Sequence, residues 1–127
     1  MTKPIPKSLT IWFFIHFVMD MLFGIPLILI PRQLLTLLGW TVIDPFTTRL
    51  VGAALIGIGL VSLVEIRKGI ESYHSLLKLK VMWSLAAIVG IFISMLEGAP
   101  AIGWLLLGIF VVFSLVWMYY LKKFHKS

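Results

Sequence analysis

His16 and Asp20 are the residues whose type and spacing could do chemistry, because they stand one helical turn apart in the middle of an apolar stretch. At that spacing an imidazole and a carboxylate share one side of a helix, where they can pair, pass a proton or offer two ligands to a metal. An ionised carboxylate in hydrocarbon costs at least about 3 kcal/mol. Asp20 must therefore be protonated, hydrogen-bonded or paired inside protein. His16 is its local partner, and Arg49 is the expected distant one, since Asp20 lies a turn or two below Pro26 and a long guanidinium could reach it. The three residues read either as a structural polar network or as a ligand, proton or ion site. A catalytic zinc needs three protein ligands and the spacing supplies two, while a haem held by two histidines would need His16 from two chains. No metal and no cofactor are expected, and His74 and His125 read as solvated.

Other chemistries lack their residues. The chain has no cysteine, which removes disulfides, thiolate sites and thiol nucleophiles. It carries no G-x-S-x-G, no phosphate-binding glycine loop, no His-Glu-x-x-His and no dinucleotide fingerprint. Serines occur without an evident base, so no catalytic residue is assigned. A second group, Lys78, Lys80 and Trp83, suits lipid headgroups, although snorkelling side chains explain it as well. Glu65 and Glu97 read as charges at the ends of apolar runs.

The elements that must position these residues follow from composition. Apolar residues make up 61% of the 127 and charged ones 13%, whereas soluble domains are roughly 45 to 50% apolar and about a quarter charged. A bilayer core about 30 Å thick takes about 20 helical residues, and four stretches qualify, at 9–30, 46–66, 77–97 and 101–121. Ser8 is placed to cap the first, Asp44 to cap the second with Pro45 at its first position, Gly98 to stop the third and Pro100 to start the fourth. The first run is too long for a signal peptide and has no small-x-small cleavage site, so it reads as a retained helix. Pro26 and Pro31 should kink or finish it, leaving residues 32–39 as a short amphipathic helix in the outer interface. The expected fold is all-α: one domain over 1–127, a polytopic membrane protein built as a four-transmembrane-helix bundle.

Basic residues set the orientation. Lys3, Lys7, Arg67, Lys68, Lys78, Lys80, Lys122, Lys123 and Lys126 make nine on one side, against Arg32 and Arg49 on the other. Both termini are therefore expected in the cytoplasm, with the cell inner (plasma) membrane as location and its anionic inner leaflet as partner. Trp12, Trp83, Trp117, Tyr119 and Tyr120 fall near the inner interface, Trp40 and Trp104 near the outer one. The formal charge of +6 does not point to nucleic acid, because the basic residues sit at the ends of apolar runs rather than in a stripe with stacking aromatics.

Small residues should bring helices together, since lipid gives little hydrophobic drive between them. Ala53 and Gly57, then Ala86, Gly90 and Ser94, have small-xxx-small spacing, suited to packing within the chain or to a seam with a second copy or a larger membrane complex. Arg49, Gly52, Ala53, Ile56 and Gly59 align roughly on one side, as do Lys80, Ser84, Ala87, Ile91 and Ser94, which suggests a weakly polar interior. Leu-Ile-Gly-Ile at 55–58 and Leu-Leu-Gly-Ile at 106–109 form a short echo that could at most mark a parallel repeat.

From Pro31 to Leu63, Asp44-Pro45, Arg49-Leu50-x-Gly52-Ala53 and Gly57-x-Gly59 resemble small uncharacterised four-helix membrane proteins of bacteria and archaea, loosely the DoxX-like group. The likeness in length and layout covers most of the chain. It implies the fold and a prokaryotic membrane, and supplies no catalytic residue. The function expected first is a non-enzymatic membrane component or subunit with a buried polar cluster. Two others stand beside it: a small proton- or cation-linked transporter using Asp20, and a lipid-binding protein or enzyme at the cytoplasmic interface. In architecture the second is similar to small multidrug resistance transporters, from which it departs in having Asp where they have Glu and a strong basic bias.

Overall fold

A computed structural model describes residues 5–125, with side chains for 5–69 and 71–123. Lys3, Lys126 and the side chain of His125 lie outside the described residues. The helices are α1 (Lys7–Leu29), α2 (Pro31–Leu38), α3 (Pro45–Val64, continued by a 3-10 turn at Glu65–Arg67), α4 (Ile70–Leu96) and α5 (Ile102–His125). No strand occurs among the described residues. Four of the five, α1, α3, α4 and α5, are long and apolar enough to cross a bilayer. The chain is an integral membrane protein by length and composition, as 61% apolar content requires.

The chain divides into two compact units, Met1–Ile70 and Glu71–Ser127. In the first, α3 runs back along α1. Gly24 and Gly52 set the distance: a Cβ on Gly24 would lie 3.1 Å from the Gly52 carbonyl oxygen, and one on Gly52 would lie 2.9 Å from that of Gly24. The two backbones touch there, which is how helices attract in lipid. The contacting face of α3 buries Thr48, Gly52, Gly59 and Ser62. Ala53 and Gly57, the expected small-xxx-small pair, are exposed, and a Cβ on Gly57 would meet nothing within 4 Å. Gly24 is the only glycine in α1, and its approach to Gly52 and Ile56 selects the face one residue away.

Asp44 caps α3 as expected. Its carboxylate accepts from the Phe46 N–H at 3.1 Å and from the Thr47 hydroxyl at 2.5 Å, with Pro45 at the first helical position. The Thr47 hydroxyl hydrogen bond, aided by the backbone donors, holds the Asp44 carboxyl below its ordinary 3.8. A depressed acid stabilises the folded state above its unfolded pKa, and that contribution is lost as pH falls through the folded value. Asp44→Ala should therefore lower the unfolding midpoint at neutral pH, and its deficit relative to the parent should shrink below pH 3.8. A deficit of constant size across that range would mean the carboxylate charge is not what holds the helix start.

Ser8 does not cap α1. The helix begins at Lys7 after Pro6 and has no side-chain cap, because proline at that boundary lets the chain enter the helix one residue too early for Ser8. At the other end Pro26 lies inside the helix, Ile30 donates to the Pro26 carbonyl at 2.8 Å, and Pro31 opens α2. Gly39 at φ 110° and Gly98 at φ 93° close α2 and α4 with the same motif. Trp40 donates to Leu35 and Gly39 to Thr36; Ala99 donates to Ser94 and Gly98 to Met95.

In the second unit α4 and α5 meet at three levels. A Cβ on Gly103 would overlap the flexible Met95 sulfur, Trp83 stands edge-on to Phe110 at 6.2 Å, and the Lys80 ammonium lies over Trp117 at 5.0 Å. The helix α4 starts at Ile70 rather than at 77, since a helix continues past the hydrocarbon boundary wherever its polar side chains reach water.

Candidate functional site

Along α1 the buried residues are Leu9, Phe13, His16, Asp20, Gly24 and Leu27, a single stripe at spacings of three and four. His16 and Asp20 are each 5% exposed, so both polar groups lie in the protein side of the helix. The His16 Nε2 and the Asp20 Oδ1 are 3.5 Å apart, close enough for an ion pair and longer than a strong charge-assisted hydrogen bond. The expected local partnership is present.

Gly59 makes the place for Asp20 on α3. A Cβ there would sit 2.9 Å from the Asp20 Cβ and 3.3 Å from Oδ2, so the carboxylate side chain occupies the volume that any other residue would fill. The glycine side of α3 is thus occupied by Asp20 at Gly59 and by the α1 backbone at Gly52.

Arg49 is not the distant partner of Asp20. Its Nε donates to the Ile28 carbonyl at 3.0 Å, and the side chain is exposed. The physical reason lies in the end of α1. Its last carbonyls lack helical donors, and Pro31 brings no N–H to the carbonyl of Leu27. That helix end carries partial negative charge and lies opposite the start of α3, so it captures the guanidinium before the carboxylate does.

The second expected cluster separates. Lys78 is exposed, whereas Lys80 is fully buried, with its ammonium over the face of Trp117. Residues two apart on a helix point to different sides, so a headgroup role cannot hold for both. Lys80 continues a buried stripe of Tyr73, Leu77 and Ser84 rather than snorkelling outward. Trp83 is half-buried against Phe110, and its indole Nε1 is shielded with no acceptor among the described residues.

Three hydroxyls in the spans are committed to their own helices, whereas the buried Ser114 hydroxyl on α5 has no hydrogen-bond partner among the described residues. Ser62 donates to the Ile58 carbonyl, Ser84 to Val81 and Ser94 to Gly90, at 3.0, 3.1 and 2.9 Å. None of these bonds sets up a nucleophile with a base. Among the described residues no three of His, Cys, Asp and Glu come together as a metal site. Of the stripe expected on α4, Lys80 and Ser84 are buried, Ala87 and Ile91 half-buried and Ser94 exposed, while Ala86 and Gly90 of the small-xxx-small set are exposed as well.

No protein-family model, curated protein or solved structure matches this chain.

Proposed function

We propose that this protein is a non-enzymatic membrane component whose buried polar residues hold its helices in register. The observation that carries the reading is the seating of Asp20 beside His16 and into the gap at Gly59. A carboxylate that fills the volume left by a glycine acts as a key between two helices. It is costly to move, because leaving that seat would expose it to lipid.

A second reading, a proton- or cation-linked carrier, draws support from the same pair, since two titratable groups buried in a span are functional candidates. Purified protein in detergent, titrated with a lipophilic cation while proton release is followed, separates the two. The component reading expects no release from the parent or from Asp20→Asn, whose isosteric amide fits the same seat, and an unchanged fold. Stoichiometric release from the parent that disappears in Asp20→Asn would overturn it.

The basic residues support both ends lying in the cytoplasm, and the resemblance carried by residues 31–63 supports a prokaryotic plasma membrane. With Lys80 removed from the interfacial set as buried, eight of the nine still face Arg32 and Arg49. Cysteines introduced singly at Lys68 and Lys122 should react with an impermeant thiol reagent from one and the same side of sealed vesicles. Opposite-side labelling would defeat this orientation.

A further inference from the structure

A groove of about 320 Å³ opens between α4 and α5, lined by His74 and Lys78 on one helix and by Met118, Leu121 and Lys122 on the other. His74 and Lys78 are one turn apart, as are Met118 and Lys122, so each helix turns two of these side chains to a common side. Among the described residues no carboxylate lines the groove. Neither Lys78 nor Lys122 forms an ion pair or hydrogen bond within the described residues.

That sets them apart from two other cations of the spans. Arg49 is taken by a carbonyl and Lys80 by an aromatic face. Two ammonium groups with no counter-charge attract an anion, and Met118 and Leu121 beneath them offer an apolar surface. The level in the membrane is fixed by α5, whose bilayer-crossing stretch runs from Ile102 to Lys123, placing Lys122 where hydrocarbon gives way to headgroups.

The geometry points to a binding site for one anionic glycerophospholipid. Its phosphate lies between Lys78 and Lys122 with the His74 ring as a further polar contact, and its glycerol and first methylenes lie on Met118 and Leu121. Basic pockets between membrane helices bind such headgroups by the same combination. A free phosphate would leave the apolar floor wet, and a zwitterionic lipid would bring its own cation toward two lysines. The site stands whichever reading of Asp20 holds, because it uses none of the same residues.

The test uses the full chain in nanodiscs of mixed phosphatidylcholine and phosphatidylglycerol, released into the gas phase for native mass spectrometry. Phosphatidylglycerol should be retained in preference. Replacing both lysines, Lys78→Gln with Lys122→Gln, should lower its retention about a hundredfold, at about tenfold for each charge-assisted hydrogen bond lost to the phosphate. Lys68→Gln with Lys123→Gln removes equal charge from exposed positions outside the groove and should leave retention nearly unchanged. An equal loss in both double variants would reduce the effect to general attraction by a basic surface and overturn the site. Equal retention of phosphatidylcholine would do the same. Displacement of the lipid by soluble glycerol phosphate at matching concentration would overturn it too, making the groove a site for a water-borne anion.

Discussion

Gly52→Ala should destabilise the protein by about 1 to 3 kcal/mol, the usual range for forcing an extra carbon into a packed contact. The new methyl would meet the Gly24 carbonyl oxygen at 2.9 Å and the Leu27 Cβ and Ile28 Cγ1 at 3.0 Å each. A backbone atom cannot rotate away, so α1 and α3 must separate, and the loosening reaches Asp20 along the same face. Alanine returns up to about 1 kcal/mol through its better helix propensity, which does not cancel the clash. Gly57→Ala on the same helix is the matched control, because its methyl meets nothing within 4 Å. It should be neutral or slightly stabilising. Unfolding midpoints of the two variants in one detergent check the pair, and equal effects would mean that α1 and α3 do not meet at Gly52.

Lys80→Ala should cost about 2 to 5 kcal/mol, in the range for emptying a fully buried long side chain. Two contributions are mixed in that figure, the packing of the four-carbon stem and the interaction of the ammonium with Trp117 at 5.0 Å. Lys80→Met keeps most of the stem and removes the charge. If the stem dominates, the methionine variant should recover most of the loss; if the ammonium dominates, it should unfold nearly as easily as the alanine one. Denaturant titration of all three proteins in mixed micelles gives the split. An alanine variant as stable as the parent would contradict the burial of Lys80.

Lys80 and Arg49 mark the boundary between what neighbouring residues dictate and what only the packing of helices decides. The four spans, the cap at Asp44, the stop at Gly98 and the His16–Asp20 pair are legible in the sequence because each depends on neighbours within a turn or two along one chain. The partner of Arg49 is not, because it depends on the register between α1 and α3, and a carboxylate in the sequence competes with a backbone carbonyl that no residue type announces. Pro31, which brings no donor to the end of α1, is the one signal that points to it. Lys80 fits two patterns at once, a polar stripe with Ser84 and a headgroup cluster with Lys78. Its spacing from Tyr73 and Leu77 favours the stripe. Ala53 and Gly57 carry a suitable motif but lie one residue off the face that Gly24 selects, and a motif does not name its partner. The groove at Lys78 and Lys122 joins residues on two different helices and has no local signature.

The contact between Gly24 and Gly52 lies wholly within the first unit. Nothing in it waits for the C-terminal half of the chain. As a nascent polypeptide leaves the ribosome, its N-terminal helices enter the bilayer first and can associate there while later segments are still being translated. This close backbone contact is therefore available early in biogenesis, when an isolated carboxylate in lipid would otherwise be most exposed, and Asp20 gains its shelter at Gly59 from the same closure.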